Sequence, residues 1–157
     1  MSEAFRRFWP IPAYIALAAL ALWPLPIHLG DALPGADHSD LWNSLWSISF
    51  VADALSIGEL PIEAAQLNFP QGGTLWPADP LGALLSLPLV WGFGLETGYS
   101  LLVLLQLSIA GLSAHGWSRE WLLLRGEQPG GRPMIAGIAM LNAPILVSGV
   151  HNGASEA

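Results

Sequence analysis

Residues 99–118, with the sequence YSLLVLLQLSIAGLSAHGWS, decide the class of this fold. The stretch is mostly Leu, Ile, Ala and Ser, and it contains no Asp, Glu, Lys or Arg. A helix of about 20 residues matches the hydrocarbon core of a bilayer, which is about 30 Å thick. We therefore predict an all-α membrane protein in which residues 99–118 form a membrane-spanning helix.

Two further apolar segments, residues 9–29 and 134–150, are also predicted to span the membrane. The first begins with two prolines in its first turn, where proline is tolerated, and two later prolines should end or kink the helix near its outer end. It lacks a small-residue cleavage site, which favours a retained anchor over a signal peptide. Residues 134–150 are at the short end of the spanning range and are broken by Asn142 and Pro144.

A fourth apolar segment, residues 81–95, is predicted to enter the membrane only in part. The segment contains Pro88 and ends near two glycines that flank Phe93. Apolar segments of about 10–14 residues are too short to span and are typical of re-entrant or interfacial structure. The expected architecture is thus three membrane-spanning helices with one partial or re-entrant segment.

Positive charge is confined to the two ends of the chain. There is no Lys, and no Arg lies between Arg7 and Arg119, whereas eight carboxylates fall in that interval. Because basic residues stay on the cytoplasmic side of a membrane, we predict that both arginine clusters are cytoplasmic. Both clusters can lie on the same side only if residues 81–95 do not cross the membrane. The N-terminus and residues 119–133 are then cytoplasmic, and residues 30–98 form a large extracytoplasmic loop.

Composition excludes several classes of protein. Hydrophobic residues make up 53% of the chain and charged residues only 11%, which is too apolar for a soluble domain of this length. The net charge of −7 argues against nucleic-acid binding. The chain has no cysteine, so disulfides and cysteine-based metal or catalytic sites are excluded.

The first part of the outer loop, residues 40–55, is predicted to be an amphipathic helix lying in the outer membrane interface. Trp42 and Trp46 would sit at the depth of the lipid headgroups. A surface helix with Asp40 or Ser39 as its N-cap is the alternative interpretation. The apolar residues recur at spacings of four and three and form one stripe: Leu41, Leu45, Ile48, Ala52 and Leu55.

The second part of the loop contains a predicted reversal and a second candidate carboxylate. Pro70 is followed closely by two glycines, which indicates a tight turn. Asp79 follows an extended stretch and is expected either at the membrane surface or as the N-cap of the next helix, with Pro80 at the first helical position.

Several short motifs follow one another along the chain: WPLPIHL at 23–29, LPG at 33–35, Asp40 with Asn43 and Trp46, FPQGGTL at 69–75 and LPL at 87–89. In this order they resemble the N-terminal region of bacterial polytopic membrane proteins grouped with the GT-C glycosyltransferases. The resemblance covers roughly residues 20–155, and it depends on the order and spacing of the motifs more than on any single one.

The resemblance implies an enzyme of the bacterial inner membrane that moves a sugar from a polyprenyl-phosphate donor to an acceptor outside the cytoplasm. It implies an acidic residue just beyond the first helix as catalytic base or metal ligand, a place that Asp40 occupies, with Asp37 as the neighbouring candidate. Asn43, Asp79 and His151 are candidate substrate-binding residues, and an interfacial position without a chemical role is the alternative for His151.

One departure from the family pattern concerns the donor phosphate. A basic residue or histidine is expected near Asp79, and Pro80 stands there instead, so phosphate recognition must come from elsewhere. The outer loop has carboxylates but no Arg or Lys, which favours a divalent ion as the counter-charge. Mg²⁺ or Mn²⁺, held by Asp40 and Asp37, would suit oxygen ligands.

Proteins of this family are several times longer, so we expect the chain to be a fragment that is inactive alone. Its expected partners are the lipid bilayer and the lipid-linked sugar donor. A non-enzymatic small membrane subunit or assembly protein is the alternative function. A transporter fragment is a third class, because Asn142 and Pro144 would break a helix within the membrane.

Overall fold

The computed structural model describes residues 8–36, 40–64, 67, 70–74 and 79–152 of the chain. Most of these residues are helical, as the sequence predicts. The elements in chain order are α1 (Pro10–Ala21), a 3₁₀ turn (Leu25–Ile27), α2 (Leu41–Ser56), β1 (Glu63–Ala64), β2 (Gly73–Thr74), α3 (Pro80–Phe93), α4 (Leu95–Leu124), α5 (Arg132–Leu141) and α6 (Pro144–Asn152).

Two segments of the described chain are long and apolar enough to cross a membrane, judged by length and composition. They are Leu95–Leu124 and Arg132–His151, and they contain two of the three predicted spans. The predicted interruption of the second is present, because α5 ends at Leu141 and α6 begins at Pro144. The Asn142 side chain donates a hydrogen bond of 2.9 Å to the Ile138 carbonyl at this break.

The first predicted span, residues 9–29, contains a helix that is shorter than expected. Helix α1 has 12 residues and is therefore about 18 Å long, compared with about 30 Å of hydrocarbon. Prolines 24 and 26 explain its early end, because proline lacks the backbone N–H and disfavours helical backbone in the residue before it. The described helices therefore do not show three full spans, and the third span stays a prediction.

Helix α3 covers most of residues 81–95, the segment predicted to enter the membrane in part. It has 14 residues, about 21 Å, and Pro88 lies inside it. The chain passes into α4 at Gly94, whose φ of 85° is costly for any residue with a side chain. The two helices pack tightly, because a Cβ added at Gly98 would lie 2.8 Å from the backbone nitrogen of Val90.

Helix α2 confirms the predicted helical periodicity but buries its apolar stripe in the protein. Leu41, Leu45, Ile48 and Ala52 are buried together with Val51, and Leu55 is half-buried. The helix packs against α3 and α4. The stripe was predicted to face the lipid interface, but in the structure it packs against protein. Trp42 and Trp46 remain exposed, so the interfacial position of α2 is a prediction that rests on them.

The turn predicted around Pro70 lies in a small β-hairpin, a departure from the all-α expectation. Strands β1 and β2 pair antiparallel, with Glu63 opposite Thr74. Gly72 has a φ of 74° just before β2, a backbone conformation that glycine adopts without strain. Gly72 thus lies at the end of the connection that leads into β2, within the turn-rich stretch that the sequence indicates.

Tyr14 of α1 contacts both α4 and α5 where the three helices cross. It is fully buried, and its hydroxyl donates to the Met134 carbonyl of α5 at 3.3 Å and lies 3.2 Å from Nδ1 of His115 on α4. Glycines make room for the ring: a Cβ at Gly111 would lie 2.7 Å from Tyr14 Cδ1, and one at Gly137 would overlap the phenol. Small residues at such crossings let helices approach closely.

Candidate functional site

The position of the candidate site depends on which helix ends lie next to each other. Tyr14, near the start of α1, contacts His115 in the second half of α4. Gly30, beyond the end of α1, lies against Thr97 in the first turn of α4, because a Cβ at Gly30 would lie 3.3 Å from the Thr97 hydroxyl oxygen. Helices α1 and α4 are therefore antiparallel, and the loop after α1 lies at the start of α4.

A cavity of about 360 Å³ lies where the loop after α1 meets the end of α6. We call it the His28–His151 pocket, because both imidazoles line it. Its other walls are largely apolar and come from Ala21, Leu22, Trp23, Pro24, Leu25, Ala32, Leu33, Pro34, Gly35, Val147 and Val150.

Local structure positions each histidine of the pocket. His28 follows the 3₁₀ turn, and its backbone N–H donates to the Leu25 carbonyl at 2.9 Å. His151 lies in the last turn of α6, and its carbonyl accepts a hydrogen bond of 2.7 Å from the Ala36 N–H. That bond ties the loop after α1 to α6. Both histidine side chains are exposed, so each is accessible to a ligand.

The pocket combines two kinds of chemistry. Imidazole donates hydrogen bonds through one ring nitrogen when neutral and through both when protonated, so it can bind an anion or a hydroxyl. The leucine, tryptophan and valine side chains of the walls suit a hydrocarbon chain. An amphiphile with an anionic or polar head therefore matches the lining.

Asp40, the predicted catalytic carboxylate, stands at the N-cap position of α2 but is not used as a cap. Its side chain accepts no capping hydrogen bond, and it is exposed. Asn43 is exposed one turn later on the same helix face. Asp40 is four positions after Ala36 in the chain, so their Cα atoms are at most about 14 Å apart. This bound places Asp40 within about 14 Å of Ala36, the neighbour of the pocket residue Gly35.

Asp79 has the structural role that the sequence offered as its alternative. Its carboxylate accepts a hydrogen bond of 2.7 Å from the Gly82 N–H, which caps α3, and Pro80 is the first helical residue. The side chain is half-buried. Its other oxygen is free to accept a ligand hydrogen bond, so the predicted substrate-binding role stays a prediction.

The predicted divalent ion is not supported by the donor groups that the structure describes. Within those residues there is no group of three or more His, Asp or Glu side chains that could hold a metal. Asp37, the second predicted ligand, lies outside the described residues, as does His38. Asp40 alone supplies too few ligands for Mg²⁺ or Mn²⁺, and we derive no chemical step through a metal.

A second cavity, of about 610 Å³, lies beside the β-hairpin. Glu59, Glu63, Gln71 and Thr74 give it an oxygen-rich lining, and the backbone of Gly72 and Gly73 completes one wall. Such a lining accepts hydrogen bonds from hydroxyl or amino groups and repels anions. Gln71, Gly72 and Thr74 belong to the FPQGGTL motif, but nothing in the sequence indicates that Glu59 and Glu63 lie beside them.

Nothing in the sequence indicates that His28 and His151 line one pocket. The two are 123 positions apart, and the only sequence signal was that both fall at outer ends of predicted spans. A scan against protein-family models found no matching model, and searches of the curated proteins and of the solved structures found no match.

Proposed function

We propose that this chain is the membrane-embedded N-terminal part of an enzyme that transfers a sugar from a polyprenyl-phosphate donor to an extracytoplasmic acceptor. The observation that carries the proposal is the His28–His151 pocket, which places two imidazoles beside apolar walls at one end of the helices. A polyprenyl phosphate has a matching division between an anionic head and a hydrocarbon chain.

In this proposal the two imidazoles supply the phosphate recognition for which the outer loop has no Arg or Lys. His28 and His151 hydrogen-bond the phosphate oxygens, and Leu22 and Val147 contact the first isoprene units. Donors placed at the leaving phosphate stabilise the charge that develops as the sugar departs. The site therefore needs no basic residue next to Asp79.

Asp40 is the proposed general base. An acceptor hydroxyl is a weak nucleophile, and a positioned carboxylate that takes its proton increases the rate. Because Asp40 is exposed and free of capping hydrogen bonds, its oxygens are available to the acceptor. Asn43, on the same face, would hydrogen-bond a neighbouring sugar hydroxyl.

The proposed setting is the bacterial inner membrane, with a cytoplasmic N-terminus. Arg119, Arg125 and Arg132 lie at or beyond the end of α4 opposite Gly94, and α1 runs antiparallel to α4. This arrangement supports placing the arginines inside and the His28–His151 pocket outside. Residues 9–29 are the proposed third span, with the 3₁₀ turn extending α1 toward the outer surface.

Donor binding tests the pocket directly. We expect His28→Ala and His151→Ala each to weaken binding of a fluorescent polyprenyl phosphate by about 10–100-fold, because each removes a hydrogen bond to a charged group. Fluorescence anisotropy in detergent micelles would measure the affinity. Ile27→Ala is the matched control, since this exposed side chain lies beside the pocket without lining it. Unchanged affinity in both histidine variants would contradict the assignment.

A further inference from the structure

The end of α4 extends beyond what a bilayer core can contain. The helix has 30 residues and is about 45 Å long, against a hydrocarbon core of about 30 Å. About ten residues must therefore lie outside the core. The predicted span is residues 99–118, so four of these ten residues precede it and six, residues 119–124, follow it in the last turns of α4, at the end that carries arginine.

These last turns have an exposed face that consists largely of apolar side chains. Trp117, Trp121 and Leu124 are 76%, 53% and 85% exposed. Their spacing of four and three places them on one side of the helix, and Arg125 follows Trp121 by four residues on the same side. We call these four residues the Trp–Arg face. Leu122, which is buried, lies on the other side of α4.

Arg125 differs from its two neighbouring arginines. Arg119 is paired with Glu120 at 2.5 Å, and Arg132 is paired with Glu127 at 2.6 Å. Within the described residues no carboxylate pairs with Arg125, and its guanidinium lies 5.8 Å from the centre of the Trp121 ring. The Trp–Arg face thus combines an apolar surface with a guanidinium that has no acidic partner in the part of the chain that the structure describes.

We propose that the Trp–Arg face binds the headgroups of anionic phospholipids in the cytoplasmic leaflet. Tryptophan favours the depth of the headgroups, and a guanidinium there forms bidentate hydrogen bonds to a phosphate. An anionic leaflet is the occupant that matches both the exposed apolar side chains and the charge. This inference rests on the proposed orientation, in which the arginine-bearing end of α4 is cytoplasmic.

Lipid-specific quenching would test this inference on the full chain. The sequence has no cysteine, so Gln128→Cys can carry a single bimane label in the loop after α4, three residues beyond Arg125. The labelled protein is reconstituted into phosphatidylcholine vesicles with and without phosphatidylglycerol, and each lipid in turn is supplied in brominated form. We expect brominated phosphatidylglycerol to be preferred at the label by about five-fold, the effect of one basic residue at an anionic surface.

Two variants distinguish an effect of the Arg125 guanidinium from an effect of any charged side chain on this part of the helix. In Arg125→Gln, brominated phosphatidylglycerol and brominated phosphatidylcholine should quench the label almost equally. The double variant Arg119→Gln with Glu120→Gln removes an exposed ion pair without changing the net charge, and it should keep the preference. Raising the salt to about 1 M should weaken the preference, because the Debye length falls to about 3 Å.

The outcomes are distinguishable. Equal quenching by both lipids would place the end of α4 in the membrane interface but overturn the headgroup specificity. An unchanged preference in Arg125→Gln would overturn the role of that residue. Quenching by neither lipid would overturn both this inference and the proposed membrane placement of α4, and would favour a protein partner on the Trp–Arg face.

Discussion

Replacing Asp40 with asparagine is expected to lower sugar transfer by about 10²–10⁴-fold in the intact protein, the usual effect of losing a general base. Asparagine has nearly the same shape as aspartate and occupies N-cap positions about as well, but it cannot take a proton. Because the Asp40 carboxylate makes no capping hydrogen bond, the substitution should leave stability unchanged. The measurement is transfer of radiolabelled sugar from a polyprenyl-phosphate donor in isolated membranes.

Asp53→Asn is the matched control for this experiment. Asp53 is an exposed carboxylate on the same helix, more than three turns from Asp40, and its side chain accepts a hydrogen bond of 3.4 Å from Ser49. It should retain full activity. Near-normal transfer by Asp40→Asn would show that Asp40 is not the base. If the histidine variants also bound donor normally, a non-enzymatic membrane subunit would become the better hypothesis.

Replacing Tyr14 with alanine is expected to lower the free energy of unfolding by about 3–5 kcal/mol, as for other large buried aromatic residues. The change removes a fully buried ring from the crossing of α1, α4 and α5. It also leaves His115 and the Met134 carbonyl without a hydrogen-bond partner at that position. Unfolding in mixed micelles with increasing sodium dodecyl sulfate, followed by circular dichroism, would measure the loss.

Three further variants test the same crossing. Tyr14→Phe keeps the ring and should cost only about 1–3 kcal/mol, the penalty for unsatisfied buried polar groups. Gly137→Val should cost at least about 1–3 kcal/mol, because its side chain would overlap the Tyr14 phenol. Ile15→Ala, at an adjacent position that is 46% exposed, is the control and should cost much less. Equal losses from Tyr14→Ala and Ile15→Ala would exclude a special role for the crossing.

The parts of the fold that follow from local sequence could be predicted. Apolar length located α4, and Asn142 with Pro144 located the break between α5 and α6. The Asp79–Pro80 pair offered the cap of α3 that the structure shows, since an acidic N-cap before a proline satisfies the first turn. These features depend on residues that are neighbours in the chain.

The features that depend on distant residues could not be predicted. Tyr14 and His115 are separated by 101 positions, and periodicity cannot tell which polar groups meet inside a helix crossing. The stripe on α2 shows the same limit. An amphipathic pattern states that one face of a helix is apolar, but not whether protein or lipid covers it, and here α3 and α4 cover it.

Membrane orientation is the central claim, because both the His28–His151 pocket and the role of Asp40 require the outer side. It can be tested by single cysteines introduced into this cysteine-free chain and labelled in intact cells with a membrane-impermeant thiol reagent. We expect Asp40→Cys to be labelled from outside, and Gln128→Cys to be labelled only after the membrane is permeabilised. Labelling of Gln128→Cys in intact cells would contradict the orientation.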